Sequence, residues 1–205
     1  MNYLAHAYLS FEKPPILAGN LISDFVKGKK KLNYSIAVQK GIALHRRIDE
    51  FTDNHEATAL AKKFFKPVYG LYAGAFIDIV YDHFLANDKK EFPGDALAGF
   101  AHFTYQQLKS YQNFFPEKFQ MLFHYMQLQN WLYNYQFKEG IYKSFTGMVQ
   151  RAKFMNDPQP AFTIFENHYD ELKKCYKIFF PDIRNFAFAQ LDELDITDEK
   201  ESGIV

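Results

Sequence analysis

The stretch from His45 to Asp53 carries the side chains best suited to chemistry, and it reads HRRIDEFTD. His45 and Asp49 are four residues apart, so on a helix they share one face. An imidazole and a carboxylate one turn apart can bind one divalent cation, because the nitrogen suits transition metals and the oxygen suits Mn²⁺ or Mg²⁺. The alternative is an exposed helix turn in which Asp49 pairs with Arg46 or Arg47, since such pairs are common and weak.

A second pair of carboxylates, Asp78 and Asp82, has the same four-residue spacing within the apolar run FIDIVYDHF. Burying a carboxylate without a partner costs several kcal/mol, so this helix needs a cation, an arginine or a protonated carboxyl group. A bound metal would meet that need. The alternative is that one carboxylate lies at the surface while the other pairs with Arg46 or Arg47.

Two further side chains, His6 and Asp24, also stand in apolar surroundings. Taken alone, His6 reads as a core histidine and Asp24 as a helix-end carboxylate. They support a metal site only in combination with the other candidates, because all the candidate metal ligands fall in the first part of the chain. These ligands are His6, Asp24, His45, Asp49, Asp78, Asp82 and His83. A metal held by such residues beside Arg46 and Arg47 can lower the pKa of a bound water and stabilise charge on phosphoryl oxygens. The pattern therefore predicts phosphomonoester or phosphodiester hydrolysis.

These side chains must be positioned by helices, because apolar residues recur at spacings of three and four. Only 10 Gly and 8 Pro punctuate the chain, and no alternating runs with hairpin turns occur. An all-α fold with one compact domain over residues 1–191 is predicted, followed by an acidic, mobile tail over residues 192–205. We expect helices near residues 2–10, 14–25, 34–50, 54–65, 70–87, 95–110, 117–136, 139–156, 159–179 and 182–193, with breaks at Pro67 with Gly70 and at Pro181.

Composition excludes several classes of protein. The chain of 205 residues has one cysteine, so neither an intramolecular disulfide nor a cysteine-built zinc site is possible. Lys plus Arg and Asp plus Glu both number 24, which gives no overall charge to attract nucleic acid. No secretion signal and no apolar run long enough for a membrane span is seen, so a soluble, cytoplasmic protein is predicted. The aromatic content of 19% predicts a bulky core.

Four motifs, in order and at similar spacing, resemble those of the acyl carrier protein phosphodiesterases. They are residues 2–6 (NYLAH), 19–25 (GNLISDF), 41–49 (GIALHRRID) with Thr52 and Asp53, and 78–85 (DIVYDHFL). A weaker similarity continues at 131–133 and at Gly147, Met148 and Arg151. The acidic segment after about Asp192 lies outside the resemblance.

The resemblance implies an all-α fold distantly akin to the HD-domain phosphohydrolases. It implies removal of 4′-phosphopantetheine from holo-acyl carrier protein, a step in fatty acid metabolism, with Mn²⁺ as cofactor or with Mg²⁺ or another divalent cation in its place. The metal ligands it implies are His6, Asp24, His45, Asp49, Asp78, Asp82 and His83. The catalytic residues are Asp24, His45, Asp78 and one or both of Arg46 and Arg47, which could clamp the nonbridging phosphate oxygens. One departure is that the adjacent His-Asp pair of true HD domains is absent, since the order here is Asp82-His83.

The partner implied is acyl carrier protein itself, with no role for nucleic acid or membrane. Carrier proteins are acidic around their modified serine, as the resemblance implies, and a basic cluster follows the Asp24 motif directly: Lys27, Lys29, Lys30 and Lys31. Such a cluster would steer an acidic partner, although a charge run is also typical of a solvated loop. The alternative functions are an HD-like hydrolase of a nucleotide or other small phosphoester, and a helical interaction protein without turnover.

Overall fold

The computed structural model describes residues 2–151 and 157–202, and within these ranges every regular element is a helix. The α-helices are α1 (Tyr3–Tyr8), α2 (Pro14–Ile22), α3 (Ile36–Asn54), α4 (Glu56–Tyr69), α5 (Ala73–Ala86), α6 (Ala96–Lys109), α7 (Glu117–Leu128), α8 (Trp131–Asn134), α9 (Lys138–Arg151), α10 (Gln159–Asn167) and α11 (Tyr169–Ser202). Short 3₁₀ turns cover Ser23–Phe25, Gly28–Asn33, Gly70–Tyr72 and Gln112–Phe114. The predicted all-α class is confirmed.

Aromatic side chains build much of the core, as the composition predicts. The rings of Phe65 in α4 and Phe76 in α5 stack at 5.4 Å, and Phe145 in α9 meets Phe76 edge-on at 5.1 Å. On the other side, Tyr81 stacks on Phe179 of α11 at 4.9 Å. Helix α5 is therefore enclosed by its neighbours, and nearly all its residues from Phe76 to Ala86 are buried.

Two glycines let α2 and α3 pack backbone against backbone. A Cβ atom on Gly19 would lie 2.0 Å from the carbonyl oxygen of Val38, and one on Gly41 would lie 2.3 Å from that of Ile16. Only glycine fits at either position. This close approach brings the buried Asn20 of α2 against His45 of α3.

Gly41→Ala should destabilise the protein by about 1–3 kcal/mol or more, because the added methyl group meets backbone that cannot rotate away. Gly99→Ala in α6 is the matched control, since a Cβ atom there meets nothing within 4 Å. Because alanine favours a helix interior more than glycine does, the free energy of unfolding of the control should rise by up to about 1 kcal/mol. Urea unfolding of both variants measures the difference, and a Gly41→Ala protein as stable as the wild type would contradict the packing argument.

Several predicted helix boundaries are wrong. The helix expected over 117–136 ends at Leu128, because Asn130 adopts a left-handed conformation with φ 47° and starts α8 in a new direction. The helix expected over 159–179 is divided at His168, and α11 then continues through Pro181. Pro67 likewise lies inside α4, and Gly70 with φ 52° ends that helix.

Proline was expected to stop α11 because it lacks an N–H group and crowds the preceding turn. Burial on both sides of Pro181 outweighs this cost of about 3 kcal/mol, since Phe179, Phe180 and Ile183 are all buried. Residues 152–156 of the helix expected over 139–156 lie outside the described residues, as do 203–205.

Helix α11 continues to Ser202, so the segment expected to form a tail is helical up to that residue. The mobility of this segment and the domain limit at residue 191 stay predictions. Among the described residues, no helix combines the length and apolar character needed to cross a membrane.

Candidate functional site

Two histidines and one aspartate from α1 and α3 meet in what we call the imidazole–carboxylate cluster, formed by His6, His45 and Asp49. One Asp49 oxygen lies 3.1 Å from His45 Nε2, and the other lies 3.2 Å from His6 Nε2. The two imidazole rings stack with centroids 4.0 Å apart. Ligand atoms of all three residues lie within 4.8 Å of one another, and both histidines are buried while Asp49 is partly exposed.

Asp24 joins the cluster from the 3₁₀ turn that follows α2. Its Oδ1 atom lies 3.2 Å from His45 Nε2, while 71% of its side chain is exposed. The turn is fixed on one side by Ser23, whose hydroxyl donates to the Ile42 carbonyl, and on the other by Arg46, which donates to the Val26 carbonyl. Asp24 therefore places an accessible carboxylate at the solvent side of the buried histidines.

Asn20 sets the orientation of the His45 ring. Its amide nitrogen donates to the His6 carbonyl at 3.0 Å and contacts the Ser10 hydroxyl at 3.1 Å, so its amide oxygen faces His45 Nδ1 at 3.2 Å. Because that oxygen can only accept, Nδ1 carries the hydrogen and Nε2 points at the two carboxylates. Sequence reasoning missed Asn20, although an amide inside the apolar run ILAGNLI is a usable signal.

The protonation pattern follows from these contacts. Burial lowers the pKa of His45, but hydrogen bonds with Asp24 and Asp49 outweigh it and raise that pKa to about 9. Burial lowers the pKa of His6 to about 4, and the neighbouring His45 adds to the effect. Burial would raise the pKa of Asp49, but both imidazoles hold it far below its ordinary value. The cluster thus contains an ionised carboxylate between a neutral and a charged ring.

The donor set fits a divalent cation. The buried His6 directs its Nε2 atom at Asp49, 3.2 Å away, and its pKa of about 4 leaves the ring neutral near pH 7. A neutral imidazole nitrogen beside carboxylate oxygens is a donor set that a divalent cation can bind. Imidazole nitrogens together with carboxylate oxygens suit a transition metal or Mn²⁺ better than they suit Ca²⁺.

Asp78 lies across a cavity from Asp24. The cavity has a volume of about 680 Å³, and both carboxylates line it. Burial raises the pKa of Asp78, and the negative charge of Asp49 adds to this rise. Asp78 therefore faces the same space as the exposed edge of the cluster.

Asp82 is not brought into the cluster. Its two oxygens accept the backbone N–H groups of Leu4 and Ala5 at 2.8 and 3.1 Å, which caps the first turn of α1. The metal role predicted for Asp82 stays a prediction, and in the structure two backbone donors compensate this buried carboxylate. Burial raises the pKa of Asp82 to about 7, and the two N–H groups oppose that rise.

His83 also lies apart from the cluster, and the metal role predicted for it stays a prediction. Its Nδ1 atom donates to the Tyr135 carbonyl at 2.7 Å, and Nε2 lies 3.1 Å from the Tyr169 hydroxyl. Both ring nitrogens are thus used to join α5 to α11 and to the end of α8. Burial lowers the pKa of His83 to about 4, so the ring is neutral in the folded protein near pH 7.

His83 should make folding sensitive to acid. Its pKa falls from 6.5 to about 4 on folding, so the unfolded chain takes up the proton first as the pH drops. The stabilisation is complete above about pH 6.5 and is lost towards about pH 4, and it amounts to about 3 kcal/mol. His83→Asn keeps a donor for the Tyr135 carbonyl but does not titrate. Between about pH 7 and pH 4.5, urea unfolding should show a smaller loss of stability in this variant. Identical losses would contradict the assignment.

The two arginines lie on different sides of α3. Arg47 donates to Gln190 at 2.6 Å and to Glu193 at 3.2 Å, so it is held against α11. Arg46 binds the Val26 carbonyl and lies beside the segment that carries Asp24. Of the two arginines predicted to bind the phosphate oxygens, Arg46 lies on the Asp24 side of the helix. Among the described contacts, neither arginine pairs with Asp49.

The four predicted docking lysines stand together directly after this segment. Lys27 precedes the 3₁₀ turn Gly28–Asn33, and Lys29, Lys30 and Lys31 lie within it. All four are exposed, and none forms an ion pair with the residues that the structure describes. Their charge is therefore available to a partner on the side of the molecule where Asp24 is open to solvent.

Comparison with known proteins gives one consistent result. The family model described as "Acyl carrier protein phosphodiesterase" matches residues 1–183. Proteins of that name include one from Photorhabdus laumondii, 35% identical over 88% of this chain and 92% of its own length. Others come from Klebsiella pneumoniae, at 31%, and Serratia proteamaculans, at 32%, each over 91% of this chain and 97% of the relative. No solved structure matches, so the likeness to HD-domain phosphohydrolases stays a prediction.

Proposed function

Because the chain belongs to the acyl carrier protein phosphodiesterase family, we propose that it hydrolyses the phosphodiester joining 4′-phosphopantetheine to holo-acyl carrier protein. The products are apo-acyl carrier protein and free 4′-phosphopantetheine. The observation that carries the proposal is the imidazole–carboxylate cluster, with Asp24 open to solvent at its edge. A cytoplasmic location agrees with such a substrate and stays a prediction.

His6, His45 and Asp49 would hold the divalent cation, with Asp24 as a further oxygen donor. When bound, the cation supplies Lewis-acid stabilisation for the charge that develops on the phosphoryl oxygens. Cation binding would require His45 Nε2 to lose its proton, and Asn20, which accepts from Nδ1, leaves Nε2 as the nitrogen that faces the site. The pair of glycines in α2 and α3 keeps Asn20 within reach of that ring.

The pKa values of Asp24 and Asp78 are shifted in opposite directions, and this difference suggests separate roles. The hydrogen bond from His45 lowers the pKa of Asp24, so this carboxylate is ionised and can bind a cation or orient the attacking water. Burial raises the pKa of Asp78, so this carboxyl group is the better proton donor to the departing serine oxygen. Arg46 is the better placed arginine for the nonbridging oxygens, once it exchanges the Val26 carbonyl for phosphate.

The experiment that tests the proposal uses the full chain, purified holo-acyl carrier protein and Mn²⁺. Mass spectrometry should show the carrier protein losing one phosphopantetheine group, which leaves an unmodified serine. Apo-acyl carrier protein incubated in parallel should not change in mass. Holo-acyl carrier protein that stays intact, with a folded and Mn²⁺-loaded enzyme, would overturn the proposal.

We also propose that the lysines at positions 27, 29, 30 and 31 guide the acidic carrier protein towards Asp24. The support is their exposure, their lack of ion-pair partners and their place directly after the Asp24 turn. Long-range attraction of this kind acts mainly on the association rate and is screened by salt.

Reversing Lys29, Lys30 and Lys31 to Glu should raise KM for holo-acyl carrier protein by about tenfold or more at low salt, with kcat nearly unchanged. The increase should shrink at high salt, where the Debye length falls well below about 10 Å. The control reverses Lys89, Lys90 and Lys174, which are exposed elsewhere, and makes the same change in net charge. Equal effects of the two triple variants would show that overall charge, not this patch, attracts the partner.

A further inference from the structure

The cavity beside the cluster has the size of a ligand site. Its volume of about 680 Å³ falls within the range of about 300–1,000 Å³ that is typical of small-molecule pockets. Asp24 and Asp78 line it, and the other lining residues come from the start of α1, from α5, from the segment around α8 and from α9. A molecule with its phosphate at the cluster could therefore extend into this space.

The cavity is lined by both apolar and uncharged polar side chains. Tyr3, Ile79, Trp131 and Met148 supply the apolar surface. The uncharged polar groups come from Asn2, Gln129, Asn134 and Ser144. Such a wall suits a mostly neutral ligand that carries a few hydrogen-bonding groups.

Hydrogen bonds hold two amide side chains of this wall in place, and each amide keeps one atom available for a ligand. The Asn134 amide nitrogen donates to the Gln129 carbonyl at 2.7 Å, and Trp131 Nε1 donates to the Gln129 side-chain oxygen at 2.9 Å. Among the described residues, the side-chain oxygen of Asn134 and the side-chain nitrogen of Gln129 have no hydrogen-bond partner. One acceptor and one donor are therefore available, which is what an amide group in a ligand requires.

The backbone explains why these groups face the cavity. The left-handed Asn130 turns the chain between α7 and α8, and this turn separates Gln129 from Trp131. Gly140 at the start of α9 then packs directly on α8, since a Cβ atom there would lie 2.0 Å from the Asn134 carbonyl oxygen. The wall is therefore fixed in part by backbone packing of α9 on the end of α8.

We propose that this cavity binds the pantetheine arm during hydrolysis, an inference that rests on the proposed function. The arm is uncharged beyond its phosphate and carries amide groups, a hydroxyl, a geminal dimethyl group and a thiol. Its amides match the free positions of Asn134 and Gln129, and its methyl groups match the aromatic surface. The serine end then points outwards, towards the carrier protein at the Asp24 opening.

The charges in the cavity disfavour a nucleotide polyphosphate. The charged side chains of the lining are Asp24, Asp78 and Lys143, and Lys143 is paired with Glu139 at 2.7 Å. The ionised Asp24 repels additional phosphate groups placed beyond the cluster, and no unpaired cation among the described lining residues would bind them. The cavity thus distinguishes the arm of a carrier protein from the nucleotide substrates of the alternative function.

Gly147→Leu tests the inference by filling the cavity. Gly147 lines it, and a Cβ atom at this position meets nothing within 4 Å, so the leucine can enter the empty space without moving the helix. Gly99→Leu is the matched control, because Gly99 is also within a helix and has equally open surroundings next to a different cavity. Ser144→Leu, one turn before Gly147 on α9, fills the same cavity as a second variant.

Isothermal titration of the Mn²⁺-loaded full chain with 4′-phosphopantetheine gives the readout. Affinity should fall at least about tenfold in Gly147→Leu and Ser144→Leu and should be unchanged in Gly99→Leu. Equal affinity in all folded variants would overturn the inference. ADP binding as tightly as 4′-phosphopantetheine, and lost in the same two variants, would also overturn it, in favour of a nucleotide site.

Hydrolysis of holo-acyl carrier protein, measured alongside, separates this inference from the proposed function. If the wild type binds 4′-phosphopantetheine but does not cleave the carrier protein, and the two cavity-filling variants lose that binding, the cavity inference stands and the proposed function fails. If Gly147→Leu cleaves and binds like the wild type, the proposed function stands and the cavity inference fails.

Discussion

Exhaustive removal of divalent cations should abolish the hydrolysis of holo-acyl carrier protein, and Mn²⁺ should restore it more fully than Mg²⁺. Two of the three donors in the imidazole–carboxylate cluster are ring nitrogens, which bind Mn²⁺ and transition metals better than they bind Mg²⁺. In the metal-free protein, Asp49 is left between two imidazoles that cannot polarise a phosphate as a cation does. Activity after dialysis against chelator, with each metal then added back, measures the effect.

The chelated protein should remain folded, since the cluster keeps the His45–Asp49 contact without a cation and the aromatic core does not involve it. Circular dichroism before and after chelation is the control that separates lost chemistry from lost structure. Full turnover in excess chelator, after all bound metal has been removed, would rule out metal-dependent chemistry at this site.

Asp49→Ala should lower kcat for holo-acyl carrier protein by at least about 10²-fold, because this carboxylate lies between the Nε2 atoms of both histidines. Asp24→Ala should have an effect of similar size, since it removes the exposed carboxylate beside His45. Steady-state kinetics at saturating Mn²⁺ gives the turnover numbers, and thermal melting checks that the variants fold.

Asp53→Ala is the matched control for Asp49→Ala. Asp53 lies one turn further along α3, is exposed and pairs with Lys62 at 2.7 Å, so its loss should change stability by less than about 1 kcal/mol and leave turnover intact. If Asp49→Ala keeps near wild-type turnover, Asp49 lies outside the reacting centre, and this conclusion does not depend on the turnover of Asp53→Ala.

Local spacing predicts part of the site correctly. The four-residue separation of His45 and Asp49 predicts that they meet on one face of a helix, and their atoms lie 3.1 Å apart. The arrival of His6 from α1 and of Asp24 from the turn after α2 depends on packing between helices. A resemblance in motif order can suggest these additions, but residue spacing alone cannot.

Asp82 shows where reasoning from side chains fails. A carboxylate in an apolar helix requires compensation, and the sequence suggests a cation, an arginine or protonation of the carboxyl group. The actual partners are the backbone N–H groups of Leu4 and Ala5, which every residue except proline possesses and which therefore leave no pattern in the sequence. Asn20 was missed for a related reason, because its role depends on the close packing of α2 on α3.

Helix periodicity predicts most of the elements, whereas their ends depend on tertiary contacts. Pro67 and Pro181 read as breaks, yet both lie within helices because burial of their neighbours outweighs the local cost. Asn130 reads as an ordinary helical residue, yet its left-handed backbone ends α7 and redirects the chain. Asparagine tolerates this conformation better than most residues, but it does not require it.

The cap that Asp82 provides for α1 determines when the enzyme can acquire its centre during synthesis. Leu4 and Asp82 are 78 positions apart, so His6 has no fixed place until α5 has left the ribosome and packed. Asn2 in turn bonds to the Tyr135 hydroxyl, 133 positions away, which joins the first helix to the wall of the cavity. Chains grow from the N-terminus at about 5–20 residues per second, and distant pairings of this kind form late. A nascent chain that already contains His6, His45 and Asp49 therefore still lacks the contact that holds α1, and the imidazole–carboxylate cluster forms only after α5 has packed.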